Sequence, residues 1–344
     1  MYVRCDSPHY VASQITAIIT LIECSVEISL GKRTETCRVS IWRRFKKIIK
    51  GARNSVCHFF SLIVVYLFTA FRLALAQLAV GNDKSANVER AVSYVEKAKQ
   101  QQADVVVLPE CFNSPYGTQH FNEYAESIPS GETSAALSAA AKRFSMYVVG
   151  GTIPERDNGS LYNTATVWDP QGNLIGKHRK VHLFDIDIKG KMTFFESETL
   201  SPGDSLTTFE VKGFKLGLGI CYDIRFEEMA RLYRNMGCHV LIYPAAFNMT
   251  TGPLHWSLLQ RSRANDNQCY VACIAPARNT DSGYVAWAHT QLTSPWAEVL
   301  HDLDIGENMV VADIDMSVID EVRSQIPVFN QRRTDLYDTI LKKK

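Results

Sequence analysis

Three residues with the chemistry of a base, an anion partner and a nucleophile each close a strand-like segment of this chain. Glu110 ends Asp104-Val105-Val106-Val107-Leu108-Pro109-Glu110, Lys180 ends Gly176-Lys177-His178-Arg179-Lys180, and Cys221 ends Lys215-Leu216-Gly217-Leu218-Gly219-Ile220-Cys221. A thiolate attacks carbonyl-type carbon, a carboxylate can take the thiol proton, and an ammonium stabilises the charge that develops. Each residue alone has an ordinary reading. Cysteine after an apolar strand is usually a small core side chain, and Lys180 belongs to a basic cluster. Glu110 could simply be a polar strand end. Their order, Glu then Lys then Cys, makes the chain readable as an enzyme.

The elements that must carry these residues follow from hydrophobic period. A strand is expected over 72–80, followed by a helix that Asp83 or Ser85 can cap and in which Val88, Ala91, Val92, Val95 and Ala98 recur at helical spacing. Further strands are expected at 104–108, 146–152, 162–168, 173–179, 207–211, 214–220, 239–243, 270–275, 289–301 and 308–314. Helices are expected at 132–145, 223–235, 254–267 and 316–325, with a long loop over 181–206. Asp169-Pro170-Gln171-Gly172 is a strong hairpin turn. Hairpins mixed with β-α crossovers point to a layered α/β sandwich rather than a purely parallel sheet. With no repeat or linker after residue 71, residues 71–340 read as one domain.

The first 70 residues differ. They hold 10 Lys and Arg against 4 Asp and Glu, whereas the rest of the chain holds 27 against 32. Trp42-Arg43-Arg44-Phe45-Lys46-Lys47-Ile48-Ile49-Lys50 interleaves basic and apolar residues as surface-seeking helices do. The uncharged run Phe59–Phe71 spans 13 residues, short of the roughly 20 that cross a bilayer. This arm is expected to be a poorly ordered extension, with membrane contact the less favoured reading. The overall charge of +1 gives no reason to expect nucleic acid. Nine cysteines without Cys-x-x-Cys spacing fit neither a disulfide framework nor a zinc site, which favours a reducing compartment. Gly172-Asn173-Leu174-Ile175-Gly176-Lys177-His178 is one residue short of a phosphate loop and lacks its Ser or Thr. Gly-x-Ser-x-Gly and His-Glu-x-x-His are absent.

Taken together, Leu108-Pro109-Glu110, His178-Arg179-Lys180-Val181-His182-Leu183 and Gly219-Ile220-Cys221-Tyr222-Asp223-Ile224-Arg225-Phe226 resemble the three motifs of the nitrilase (carbon–nitrogen hydrolase) superfamily, in that family's order. Tyr243-Pro244-Ala245-Ala246-Phe247-Asn248 and Gln260-Arg261-Ser262-Arg263-Ala264 match as well, and the likeness covers about 71–340. Within it, Pro109–Tyr116, His182–Asp187, Phe195-Glu196-Ser197 and Asn248–Trp256 resemble the omega-amidase branch, with Lys189 standing where proline is expected.

The resemblance implies an α-β-β-α sandwich that forms four layers, a homodimer paired through helical faces, and no metal or organic cofactor. It implies a cysteine nucleophile (Cys221), a general base (Glu110) and an oxyanion-stabilising lysine (Lys180). Glu196 would orient that lysine or help activate water, and the backbone N–H of Tyr222 would complete the oxyanion hole. The substrate implied is an α-keto acid carrying a terminal amide, α-ketoglutaramate or α-ketosuccinamate. Tyr116, Thr250 and Thr251 are the candidate donors to it. Arg225 reads as half of a buried ion pair behind the nucleophile rather than as the ligand of the substrate carboxylate. The alternatives are a deaminated-glutathione or other amidase of the superfamily, and a catalytically silent interaction protein of the same fold. The expected location is the cytoplasm, with the mitochondrion as a second site.

Overall fold

The computed structural model describes residues 70–342, so the expected N-terminal extension lies outside the described residues apart from its last position. The described chain runs β1 (Ala70–Gln77), α1 (Lys84–Gln100), β2 (Val105–Val107), α2 (Thr118–Tyr124), α3 (Glu132–Phe144), β3 (Tyr147–Asp157), β4 (Ser160–Trp168) and β5 (Leu174–Arg179). It continues through β6 (Asp185–Ile188), β7 (Met192–Phe195), β8 (Thr207–Val211), β9 (Phe214–Leu218), α4 (Glu227–Asn235), β10 (Val240–Pro244) and α5 (Gly252–Asn267). The last elements are β11 (Tyr270–Ile274), β12 (Gln291–Thr293), β13 (Val299–Asp302), β14 (Asn308–Asp315) and α6 (Met316–Gln325).

Two six-stranded sheets result, one ordered β14-β1-β2-β3-β4-β5 and the other β13-β12-β11-β10-β9-β8. Phe71, Leu73, Leu75, Val105, Val107 and Val149 of the first sheet share one core with Phe214, Leu216, Leu218, Val240 and Ile242 of the second. The alternate residues Ala74, Ala76, Val106 and Val148 pack instead with Ala91, Val95 and Ala98 of α1 and Leu137 and Ala141 of α3. Both faces of these strands are therefore covered, which is why they read as continuous apolar runs rather than as alternation. On the far side, Met229, Ala230 and Tyr233 of α4 and Trp256 and Ala264 of α5 close the core. The layers are thus helix, sheet, sheet, helix, the sandwich expected from the resemblance. Each large apolar side chain buried this way contributes about 1.5–3 kcal/mol.

Three segments depart from the sequence expectation. The supposed loop over 181–206 contains the β6–β7 hairpin, paired from Asp185↔Phe195 to Ile188↔Met192. Its strands are four residues long and half polar, too short to signal themselves by period, and Lys189 lies in its turn beside Gly190 at φ +72°. The helix expected at 223–235 is divided into a 3-10 turn, Cys221–Arg225, and α4. The strand expected at 289–301 is two strands, β12 and β13, joined by a turn in which Ser294 N–H donates to Glu298 O and Ala297 N–H to Ser294 O. The short helix α2 carried no recognised signal.

Candidate active site

The first sheet delivers the charged groups. Glu110 follows β2, at a place where β3 bulges between Val149 and Thr152 to receive it. Gly151, at φ +50°, makes this possible: a Cβ there would stand 2.1 Å from Pro109 O. Thr152 in turn accepts the Cys111 N–H on its hydroxyl at 2.8 Å. Lys180 follows β5, one residue past its last pair with β4, and its N–H donates to Asn163 O at 2.8 Å.

The second sheet delivers the thiol. β9 ends at Leu218, and Gly219 passes so close to Tyr243 that a Cβ would meet its ring at 2.4 Å. Cys221 then adopts φ +46°, a left-handed conformation that is rare for a residue with a side chain. Such a residue costs on the order of 1–3 kcal/mol and persists only where its surroundings dictate it. Asp223 is what dictates it. One carboxylate oxygen accepts the Ile220 N–H at 2.8 Å, and the other accepts the His182 N–H at 2.9 Å and lies 2.8 Å from His182 Nδ1. His178 Nε2 stands 3.6 Å away. Burial would raise the Asp223 pKa, but the nearby His178 ring and the bonds from His182 outweigh it and hold the carboxyl well below the usual range. Because His178 and His182 flank Lys180, this one carboxylate clamps the nucleophile turn to the lysine segment across the two sheets.

At the centre, Lys180 Nζ donates to Glu110 Oε1 at 3.2 Å and to Glu196 Oε1 at 2.9 Å, and all three side chains are fully buried. Glu110 also accepts from Asn163 Nδ2 at 2.8 Å and from Ala246 N–H at 2.7 Å. Glu196, placed by the 3-10 turn that follows β7, accepts from the Tyr116 hydroxyl at 2.6 Å and the Phe184 N–H at 2.7 Å. Burial pushes the Glu110 pKa up, with Lys180 opposing; a hydrogen bond from the Cys221 thiol also favours its charged form. Burial, then the Glu110 charge, push the Cys221 thiol well above its ordinary value. For Lys180, burial would favour the neutral amine, but Glu110, Glu196 and Cys221 together outweigh it and keep the ammonium charged.

The resting site thus has a protonated thiol beside a carboxylate made more basic by burial. Were that carboxylate to take the thiol proton during attack on an amide, negative charge would move from Glu110 to the substrate oxygen. The buried total would be unchanged, which avoids the cost of creating new charge in a dry interior. Among the described residues no group of three or more His, Cys, Asp or Glu could hold a metal ion.

The remaining sequence candidates fall in different places. Tyr116 spends its hydroxyl proton on Glu196, and its ring packs against Tyr284 at 4.5 Å and against Phe194 of the β6–β7 hairpin at 5.8 Å. Thr250 and Thr251 give their N–H groups to Asn248 Oδ1, both at 2.9 Å, in the turn that opens α5. Arg225 forms no ion pair among the described residues, which corrects the expectation of one behind the nucleophile. Its guanidinium lies over the rings of Phe247 at 4.8 Å and Tyr222 at 5.5 Å; burial lowers its pKa, and a thiolate at nearby Cys221 would oppose that shift. Its Nε is buried without a hydrogen-bond partner. The supporting roles of Asn163, Asp223 and His255 escaped the sequence reading. Asn163, a buried amide in a strand that also buries Thr164 and Thr166, carried no signal that set it apart.

The carbon–nitrogen hydrolase family model matches residues 72–324. The chain is 56% identical over 273 residues to omega-amidase NIT2 of Bos taurus, covering 79% of this chain and 99% of that protein. It is 56% identical over 275 residues to omega-amidase NIT2 of Homo sapiens, covering 80% and 99%. Among solved structures, Nit3 of Saccharomyces cerevisiae, a member of branch 10 of the nitrilase superfamily, aligns with a TM-score of 0.71 at 45% identity over 77% of this chain and 97% of that one. Fold, motif order and matched length agree, and the chain belongs to the carbon–nitrogen hydrolase family.

Proposed function

We propose that this protein is an omega-amidase, hydrolysing the terminal amide of α-ketoglutaramate and α-ketosuccinamate to the dicarboxylic keto acid and ammonia. The observation that carries the substrate class is Arg225: a half-buried guanidinium near the thiol, with no carboxylate partner among the described residues and with its Nε buried and unpartnered. Buried charges are normally paired, and a planar fork of donors matches a carboxylate bidentately. An α-keto acid amide brings that carboxylate at the end remote from its amide. The 56% identity to omega-amidases of Bos taurus and Homo sapiens supports the same reading.

The reaction follows from the groups in place. Cys221 Sγ attacks the amide carbon while its proton passes to Glu110. Lys180 and the Tyr222 N–H, in the first turn of the 3-10 segment where N–H groups have no partner within the helix, face the oxyanion. An oxyanion donor of this kind contributes about 3 kcal/mol. As the C–N bond breaks, Glu110 returns the proton to nitrogen and ammonia leaves, giving a thioester on Cys221. Glu110 then takes a proton from water, whose oxygen attacks the thioester carbon, and the proton returns to the departing thiolate. Glu196 holds Lys180 in position throughout. Tyr116, by fixing Glu196, acts one step behind the substrate; Thr250 and Thr251 line the turn leading to α5.

Purified protein should release ammonia from α-ketoglutaramate, and Cys221→Ala should lower that rate by at least about 10³-fold with the melting temperature nearly unchanged. Undiminished turnover in the variant would end the proposal. Two copies are also proposed to pair through the outer face of α5, where Leu254 and Leu258, 64% and 60% exposed, lie one turn apart. Sedimentation equilibrium should give twice the 38.7 kDa chain mass; a monomer at micromolar concentration would exclude the pairing.

A further inference from the structure

Among the described residues Arg225 has one side-chain hydrogen-bond partner, and it lies on a different element. His255, in the first turn of α5, places Nδ1 3.2 Å from Arg225 Nη1. A guanidinium has donors only, so this contact is a hydrogen bond only if Nδ1 is the acceptor, with the imidazole neutral and its proton on Nε2. The surroundings favour the neutral ring. Burial, then the positive charge of Arg225, lower the His255 pKa. No other side chain among the described residues hydrogen-bonds the guanidinium: the Phe247 and Tyr222 rings, 4.8 and 5.5 Å away, supply no acceptor that would set its rotation. Its Nε remains without an acceptor.

We infer that His255 is a positioning residue for substrate recognition: its Nδ1 sets the rotation of the Arg225 guanidinium so that the remaining donors face the substrate carboxylate. The inference rests on the reading of Arg225 as the carboxylate receptor. Bidentate recognition depends on the angle of the fork as much as on its charge. Losing the acceptor leaves the guanidinium free to turn, and the binding step bears the cost while the chemistry at Cys221 does not. His255 touches neither substrate nor the reacting atoms in this arrangement.

The test compares the charged substrate α-ketoglutaramate with valeramide, an amide of the same chain length and no carboxylate. His255→Ala should raise KM for α-ketoglutaramate about 10-fold, the loss expected of one hydrogen bond to a charged group, with kcat within about two-fold. On valeramide its kcat/KM should match the parent enzyme. His255→Asn, whose carbonyl oxygen can occupy the Nδ1 position, should restore most of the lost affinity. An unchanged KM in His255→Ala, or an equal loss on both amides, would overturn the inference. Failure of the underlying reading looks different: Arg225→Leu would then treat the two amides as the parent does. If Arg225→Leu discriminates between them and His255→Ala does not, only the role of His255 falls.

Discussion

The two sheets contribute opposite kinds of chemistry to one site. From the first come Glu110 and Lys180, which with Glu196 make a densely bonded set: each carboxylate oxygen and the ammonium nitrogen meets at least one partner within 3.2 Å. From the second come Cys221 and Arg225, one strained and the other without an acid partner. Satisfied polar groups in a dry interior resist displacement, because breaking any one bond exposes the rest to an uncompensated cost. Unsatisfied ones are where a substrate has something to offer. In the proposed reaction the saturated half would fix the geometry of proton and charge transfer, and the unsaturated half would receive the reactant.

Removing a member of the saturated half should therefore harm both stability and rate. Lys180→Met leaves two buried carboxylates facing one another, which should destabilise the fold by about 3–5 kcal/mol. Activity should fall by about 10³-fold on top of that. Denaturant unfolding monitored alongside turnover separates the two losses; a variant as stable as the parent would show that the network is not the stabilising unit described.

In the unsaturated half the effect should be large but confined to binding. Arg225→Leu should raise KM for α-ketoglutaramate by about 50-fold, the range of a charged hydrogen-bonded contact, and should leave stability unchanged or improved. Steady-state kinetics and thermal melting check this together. A loss of stability like that of Lys180→Met would place Arg225 in the saturated half and erase the contrast.

Between the halves stands Asp223, and its effect should be the smallest. Its pKa is depressed in the folded state, so the stability it contributes is present above the unfolded carboxyl value near pH 4 and is lost as pH falls through the folded value. Asp223→Asn should flatten that acid dependence and lower kcat by about 10-fold, through a looser nucleophile turn. Melting curves measured from pH 7 down to pH 3 would refute the clamp if parent and variant ran parallel.

What could be read from the sequence divides along the same line. The strands ahead of Glu110 and Cys221 announce themselves because burial on two faces requires apolar runs such as Val105–Val107, whereas β5, ahead of Lys180, is half-exposed and was marked by the hairpin turn before it. The β6–β7 hairpin could not be read, since four-residue strands with Asp185 and Asp187 facing water carry no core pattern. The ion pair expected at Arg225 failed for a related reason: a motif shows that a cation is required, but not whether the fold brings an acid to it. Asp223 was quoted within a motif, yet its function as an inter-sheet clamp depends on His178 and His182, residues about 40 positions upstream that only the folded chain brings near it.

The position of β14 has a consequence for how the fold must assemble. It pairs with β1 from Ala70↔Asp315 to Gln77↔Asn308, so residues more than 230 positions apart lie side by side in the sheet that carries Glu110 and Lys180. A pairing of such sequence separation closes a long loop, whose entropy is lost before the contact repays it, and contacts of this kind slow folding.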